Sequence, residues 1–229
     1  MLFRSLTLAF LAVSFVLAIP SSNKGTFVNL RIEASQKTIF EGVVFTRGHD
    51  VTSATGGTHH CDGTNNNTNS RPGPTVTTAL DDAARRHGFS WDGAFFPDFD
   101  DYLVSTIDGE ANTDTEFWTF LVNFQFGEVG GCQQQVEALD QVLFAFDGFG
   151  KAHILKLTGP ELAHKNKLIT LTVTDGTTGA PVAGATVNGQ TSDANGKVSI
   201  TFSKLGTSGI KAEKSDSIRS NLLNILVVP

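Results

Sequence analysis

A chain of 229 residues has room for one mid-sized domain or two small ones. Only 17% of it is charged, its net charge is −6, and it has no run of lysines and arginines. Such a surface cannot neutralise phosphates, which excludes nucleic acid as a partner and disfavours anionic lipid.

The chain opens Met1-Leu2-Phe3-Arg4, followed by an apolar run from Leu6 to Ala18. One positive charge, an apolar stretch and the small residue Ala18 predict a signal peptide over residues 1–18, with Ile19 as the mature terminus. The run is too short for a membrane span of about 20 residues. The expected location is therefore secreted, extracellular or cell-wall associated. The apolar end, Leu222 to Pro229, is also too short to span and reads as a last β-strand.

Phe27 to Ala34 and Lys37 to Phe45, separated by Ser35-Gln36, predict a β-hairpin. Residues 46–73 are rich in Gly, Thr, Asn and His and read as a long loop. Val76, Ala79, Leu80, Ala83 and Ala84 recur at helical spacing, with Arg85-Arg86-His87 late and Gly88 as a stop. The aromatic stretch Phe89 to Tyr102 reads as loop because of Gly93, Pro97 and its aspartates. Strands are expected at 103–107, at 117–126, at 141–146 and at 154–157, the last closing a first module. The polar segment 161–167 marks a boundary. Beyond it, alternating runs at 169–174, 185–187, 197–202, 210–213 and 223–227, with turns at Asn188-Gly189 and Asp193 to Gly196, predict a small β-sandwich.

The two cysteines, Cys61 and Cys132, lie in the exported part. An even pair in an oxidising compartment is expected to be bridged, with two free thiols as the alternative. Asn66-Asn67-Thr68 is a glycosylation sequon in a polar loop. His59-His60-Cys61, with His49 nearby, has metal-ligating residue types, but a bridged cysteine has lost its thiolate and a polar loop is the favoured reading. The acidic cluster Asp98, Asp100, Asp101 lacks the glycine and distal glutamate of a calcium loop and reads as a solvated turn. No nucleophile elbow, zinc-protease helix or phosphate-cradling loop occurs, so neither a catalytic site, a metal nor a cofactor is expected. Trp91, Phe95, Phe96, Phe99 and Tyr102 are the most informative group. They either stack on a ligand or fold inward as a satellite core.

Ile107-Asp108-Gly109, Phe117 to Asn123, Val129-Gly130-Gly131 and Leu139 to Phe144 occur in the order found in a known family. Residues 26–158 thus resemble the C-terminal β-domain of the transcobalamin and intrinsic factor family, within the soluble-ligand-binding β-grasp group. The resemblance implies a β-grasp fold with one helix, and ligand contact near Asn123 and Phe126. Phe124 and Leu139 depart from it, standing where glycines are common. The α-helical barrel that completes the vitamin pocket in those carriers has no counterpart, so a lone β-domain offers half a cavity. Residues 168–229 resemble bacterial immunoglobulin-like and carboxypeptidase-regulatory-like sandwiches, on Gly179 to Val187 and Thr191 to Val198.

The expected fold is mainly β with one helix, a β-grasp-like domain followed by a sandwich. The expected function is non-enzymatic recognition of a small molecule or of an extracellular protein or glycan, through Trp91, Phe95, Phe96, Phe99, Tyr102, Asn123 and Phe126. The alternative is a structural cell-surface or matrix protein with adhesive or spacing modules.

Overall fold

The computed structural model describes residues 24–229, so the expected signal peptide, residues 1–18, lies outside the described residues. The architecture is mainly β with one helix. The first part comprises β1 (Thr26–Glu33), β2 (Thr38–Thr46), β3 (His49–Ser53), β4 (Gly57–Cys61), α1 (Val76–His87), β5 (Trp91–Phe96), β6 (Asp101–Ile107), β7 (Glu110–Ala111), β8 (Trp118–Val122), β9 (Gln125–Phe126) and β10 (Gln141–Phe146).

Five of these strands form one mixed sheet in the order β2-β1-β10-β8-β9. The central pair, β1 and β10, is parallel, and the other pairs are antiparallel. The helix lies on one face of this sheet, which is the β-grasp arrangement. Its sequence explains its bounds. Thr75 accepts a hydrogen bond from the Thr78 amide and its own amide donates back to Thr78 Oγ1, a reciprocal cap. Gly88 ends the helix at φ 77°, a conformation glycine adopts without steric cost. The stripe Val76, Ala79, Leu80 and Ala83 packs fully buried against Val28, Leu30, Ile32 and Phe144.

Central strand β10 is buried from Val142 to Phe146. Its even-numbered side chains face the helix, while Leu143 and Ala145 face a second cluster with Ile154 and Ile218. Cover on both faces is why this strand reads as a continuous apolar run.

The second part holds β11 (His153–Thr158), β12 (Leu162–His164), β13 (Ile169–Asp175), β14 (Thr186–Val187), β15 (Gln190–Thr191), β16 (Lys197–Ile200), β17 (Gly206–Ile210), β18 (Ala212–Glu213), β19 (Ser217–Ile218) and β20 (Leu223–Val228). They form the sheets β16-β13-β11-β19, β12-β20-β17 and β15-β14-β18. Leu155, Leu171, Val173, Val198 and Ile225 fill the core between them.

Five local expectations are corrected. Residues 46–73 are not all loop, since β3 and β4 pair as a hairpin. Val51 is its one large apolar inward residue, so no hydrophobic alternation announced it. The aromatic stretch is likewise a hairpin, β5 with β6, closed by the turn at residues 97–100. The run 117–126 is broken by Asn123 and Phe124 at φ 50° and 64°, which turn β8 back into β9. Strand β11 pairs with β13 and β19, not with the grasp sheet. The polar segment 161–167 also contains β12, paired with β20. No strand pair among the described residues joins the part ending at Phe146 to the part starting at His153.

The two parts dock face to face. Phe124 is a bulky residue in the left-handed region, which costs about 1–2 kcal/mol. Its ring is nonetheless buried with Leu121, Leu143, Ile154 and Ile218. Gly176 of the sandwich sits so close to that ring that an added Cβ would lie 2.0 Å from it. Phe124, at the turn between β8 and β9, is therefore a docking side chain. Beside it, Glu33 is 0% exposed. Its carboxylate accepts from Lys211 Nζ, from Thr38 Oγ1 and, at 2.8 Å, from Arg219 Nε.

Candidate functional site

Antiparallel pairing sorts the β5–β6 aromatics onto two faces. Phe95 and Tyr102 are partners and turn inward. The Phe95 ring stacks on His59 at 3.5 Å between centroids. Tyr102 is buried, and its hydroxyl donates to the carbonyls of Val51 and Gly57. Trp91 donates from Nε1 to Asp81 Oδ1 and packs with Tyr102, Cys61 and Cys132. These three rings form a satellite core.

Phe96 and Phe99 behave differently. They stay 43% and 65% exposed and meet Leu103 and Val129, 49% and 39% exposed, in a cleft of about 370 Å³. The edge of Tyr102 also reaches it. One wall is the β5–β6 hairpin and the other is the segment from Glu128 to Gln133.

Three devices hold the walls together. Cys61 at the end of β4 is bridged to Cys132. Gln133 Nε2 donates to the Phe99 carbonyl at 2.7 Å. Asp101, buried on the cleft floor, accepts from the backbone amides of Tyr102, Cys132 and Gln133 at 2.8–3.2 Å. Gly130 is required here, since an added Cβ would lie 2.1 Å from Asp101 Oδ2.

Burial pushes the Asp101 carboxyl up from 3.8 to about 6, against the pull of the Cys132, Tyr102 and Gln133 amides. Between these values the folded chain holds a proton that the unfolded chain releases. This group's contribution to stability therefore falls as pH rises from about 4 to about 6. A carbon-detected NMR titration is expected to give a midpoint near 6, with the Cys132 and Gln133 amide signals moving in step. A midpoint below about 4 would refute this account.

The remaining expected site residues lie elsewhere. Asn123 bridges Asp140 Oδ1 and the Gln141 amide in the β8–β9 turn. Phe126 stacks on the exposed ring of Phe149 at 4.6 Å. Neither lines the aromatic cleft, whereas exposed Asn66 of the sequon does. Leu103 was legible as the outward neighbour of inward Tyr102 on a strand, but only once 89–102 is read as a hairpin. Val129 was visible as part of the Val129-Gly130-Gly131 motif, but nothing in the sequence marked it as facing the aromatic group.

Among the described residues no group of three or more His, Cys, Asp or Glu could hold a metal. His59 is engaged with Phe95, His49 with Asp81 and His60 with Asp100. Asp100 accepts from the Asn66 amide, so the three aspartates do not converge. No helix among the described residues is long and apolar enough to cross a membrane.

No protein-family model matches the chain, and no curated protein matches it. Among solved structures it is similar to haptocorrin, seen in a crystal structure in complex with Cbi. That likeness has 12% identity and a TM-score of 0.37, and it covers 54% of this chain and 25% of that one. The chain thus matches a quarter of the haptocorrin chain. This is a remote structural relationship and carries no ligand across.

Proposed function

We propose that the protein is a secreted, non-enzymatic binding protein that takes a small molecule with an apolar face into the aromatic cleft. The observation that carries this is the convergence of Phe96, Phe99, Leu103 and Val129, all exposed, on one concave site. Single exposed apolar side chains are ordinary, but four on one rigid cleft mark a binding surface. Its size selects the partner class. A volume of about 370 Å³ falls in the range of small-molecule pockets, roughly 300–1,000 Å³. A stable protein partner needs about 800 Å² of surface on each side, far more than four side chains supply.

The leader 1–18 and the bridged cysteines support export. Both Asp101 oxygens are engaged by amides, which supports a positioning role over proton transfer. Sideways docking of the sandwich onto the grasp sheet supports binding over a spacer role, which favours modules placed end to end. A glycan on Asn66 would stand at the cleft's rim.

The test is a titration of the secreted protein with an uncharged apolar fluorophore, N-phenyl-1-naphthylamine. Binding is expected to weaken about tenfold in the double variant Phe96→Ser/Phe99→Ser, without loss of thermal stability, because both rings are exposed. Equal binding by both proteins, or none by either, would overturn the proposal. Mass spectrometry of the purified native protein would then name the occupant.

A further inference from the structure

A second cleft, of about 420 Å³, opens between the grasp sheet and the sandwich. Its floor is the sheet face opposite the helix, carried by β1, β2 and β10, and its far wall is the segment from Asn221 to Asn224. Arg31 lies in that floor with its side chain only 7% exposed. Its guanidinium donates to the Arg219 carbonyl, and the nearest carboxylate oxygen, Glu33 Oε1, is 4.0 Å away.

That carboxylate is already taken by Lys211 and Arg219. The other nearby acid, Glu41, accepts from the Leu222 amide at 2.7 Å and faces Lys211 Nζ at 2.6 Å. The connected cluster therefore holds three cations, Arg31, Lys211 and Arg219, against two carboxylates, Glu33 and Glu41. One positive charge is left over, on the buried guanidinium that lines the cleft. A buried guanidinium held by one carbonyl and a shared carboxylate 4.0 Å away is under-compensated, which is costly, and an incoming anion reduces that cost.

Glu41 also lines the cleft, with its Oε2 facing Lys211, and the remaining lining suits an anionic guest. The side-chain amides of Gln141 and Asn224 line the cleft and make no hydrogen bond among the described residues. The Phe124 ring lies 6.0 Å below the Arg31 guanidinium, and Leu222 and Val43 are exposed beside it. We propose that this inter-module cleft binds a small organic carboxylate. The head group pairs with the Arg31 fork and the flanking amides, and the apolar body lies on Phe124, Leu222 and Val43. A monoanion fits the single surplus charge. A phosphate dianion would leave a negative charge beside Glu33 and Glu41.

The test uses the full secreted protein, nitrogen-edited NMR and three probes: 4-phenylbutyrate, its uncharged amide, and inorganic phosphate. The carboxylate is expected to shift the Leu143, Leu222 and Asn224 amide signals saturably. The amide analogue should bind about tenfold more weakly, and phosphate should leave those signals unmoved. Arg31→Met should abolish the saturable shifts. Because that variant also strips a donor from the Arg219 carbonyl, Gln141→Leu/Asn224→Leu provides a second check. Both residues are exposed and unbonded through their side chains, so binding should fall several-fold with the melting temperature unchanged. Phe96→Ser/Phe99→Ser should bind the carboxylate like the wild type, which separates this site from the aromatic cleft. Failure of the carboxylate to bind, equal binding of its amide, or shifts confined to the aromatic cleft would each overturn the proposal.

Discussion

Glu33→Ala is expected to lower the free energy of unfolding by about 3–5 kcal/mol, the usual consequence of removing one member of a buried ion cluster. The carboxylate is fully buried and draws Lys211, Thr38 and Arg219 onto one point. Without it, Glu41 alone remains to offset Lys211, Arg219 and Arg31. Arg219 keeps hydrogen bonds to the Ala34 and Ser35 carbonyls, so the damage falls mainly on charge balance. The loss should concentrate between the two parts. Lys211 and Arg219 belong to the sandwich and Glu33 to β1, so undocking should precede unfolding of either core. Urea denaturation followed by two probes tests this, Trp118 fluorescence for the grasp core and hydrogen exchange of Ile154 and Ile218 for the interface. A loss under about 1 kcal/mol, the range of an exposed ion pair, would show that the cluster is not a latch.

Cys61→Ser/Cys132→Ser should cost a similar amount by a different route. The bridge closes a separation of 71 residues, and the loop-entropy model assigns such a closure about 4 kcal/mol. The folded state should change little in the grasp sheet, because neither cysteine lies in its five strands. The aromatic cleft should change more. Its second wall, with Val129 and Gln133, would then be held to the β5–β6 hairpin by the Asp101–amide contacts and the Gln133–Phe99 hydrogen bond, and to its other neighbours by the Thr68, Asn69, Gly63 and Thr77 hydrogen bonds. Fluorophore affinity should therefore drop along with the urea midpoint. Unaltered stability in the double serine variant would refute the loop-entropy account.

Much of the fold was legible because its signals are local. The helix is bounded by its Thr75 cap and Gly88, and β1, β2 and β10 carry their alternation or their continuous apolar run in plain sight. Hairpins β3–β4 and β5–β6 were not legible as pairs: β3 and β4 turn in a single large apolar residue, Val51, β5 mixes Asp92 and Gly93 with its aromatics, and only the 103–107 part of β6 read as a strand. The membership of β11 was hidden for another reason. An apolar strand next in sequence to one sheet pairs instead with β13, from Thr158 with Thr172 to Leu155 with Asp175, and only tertiary packing decides between them. The aromatic group itself was visible as composition. Which rings face out depends on a hairpin register that Gly93, opposite a register shift, obscured.

The side-by-side pairing of β1 with β10 sets a schedule for biosynthesis. Asn29 finds its neighbour in Gln141, so the first hairpin leaves the ribosome with its inner border open. At about 5–20 residues per second, that border waits on the order of ten seconds for its neighbour to emerge. During this interval Val28, Leu30 and Ile32 lack the cover that Phe144 and Phe146 later provide, and α1, Val104 and Ile107 are themselves made only part-way through it. The nascent chain thus presents a sticky ribbon early, and a holding chaperone should engage residues 26–46 until the strand ending at Phe146 is available.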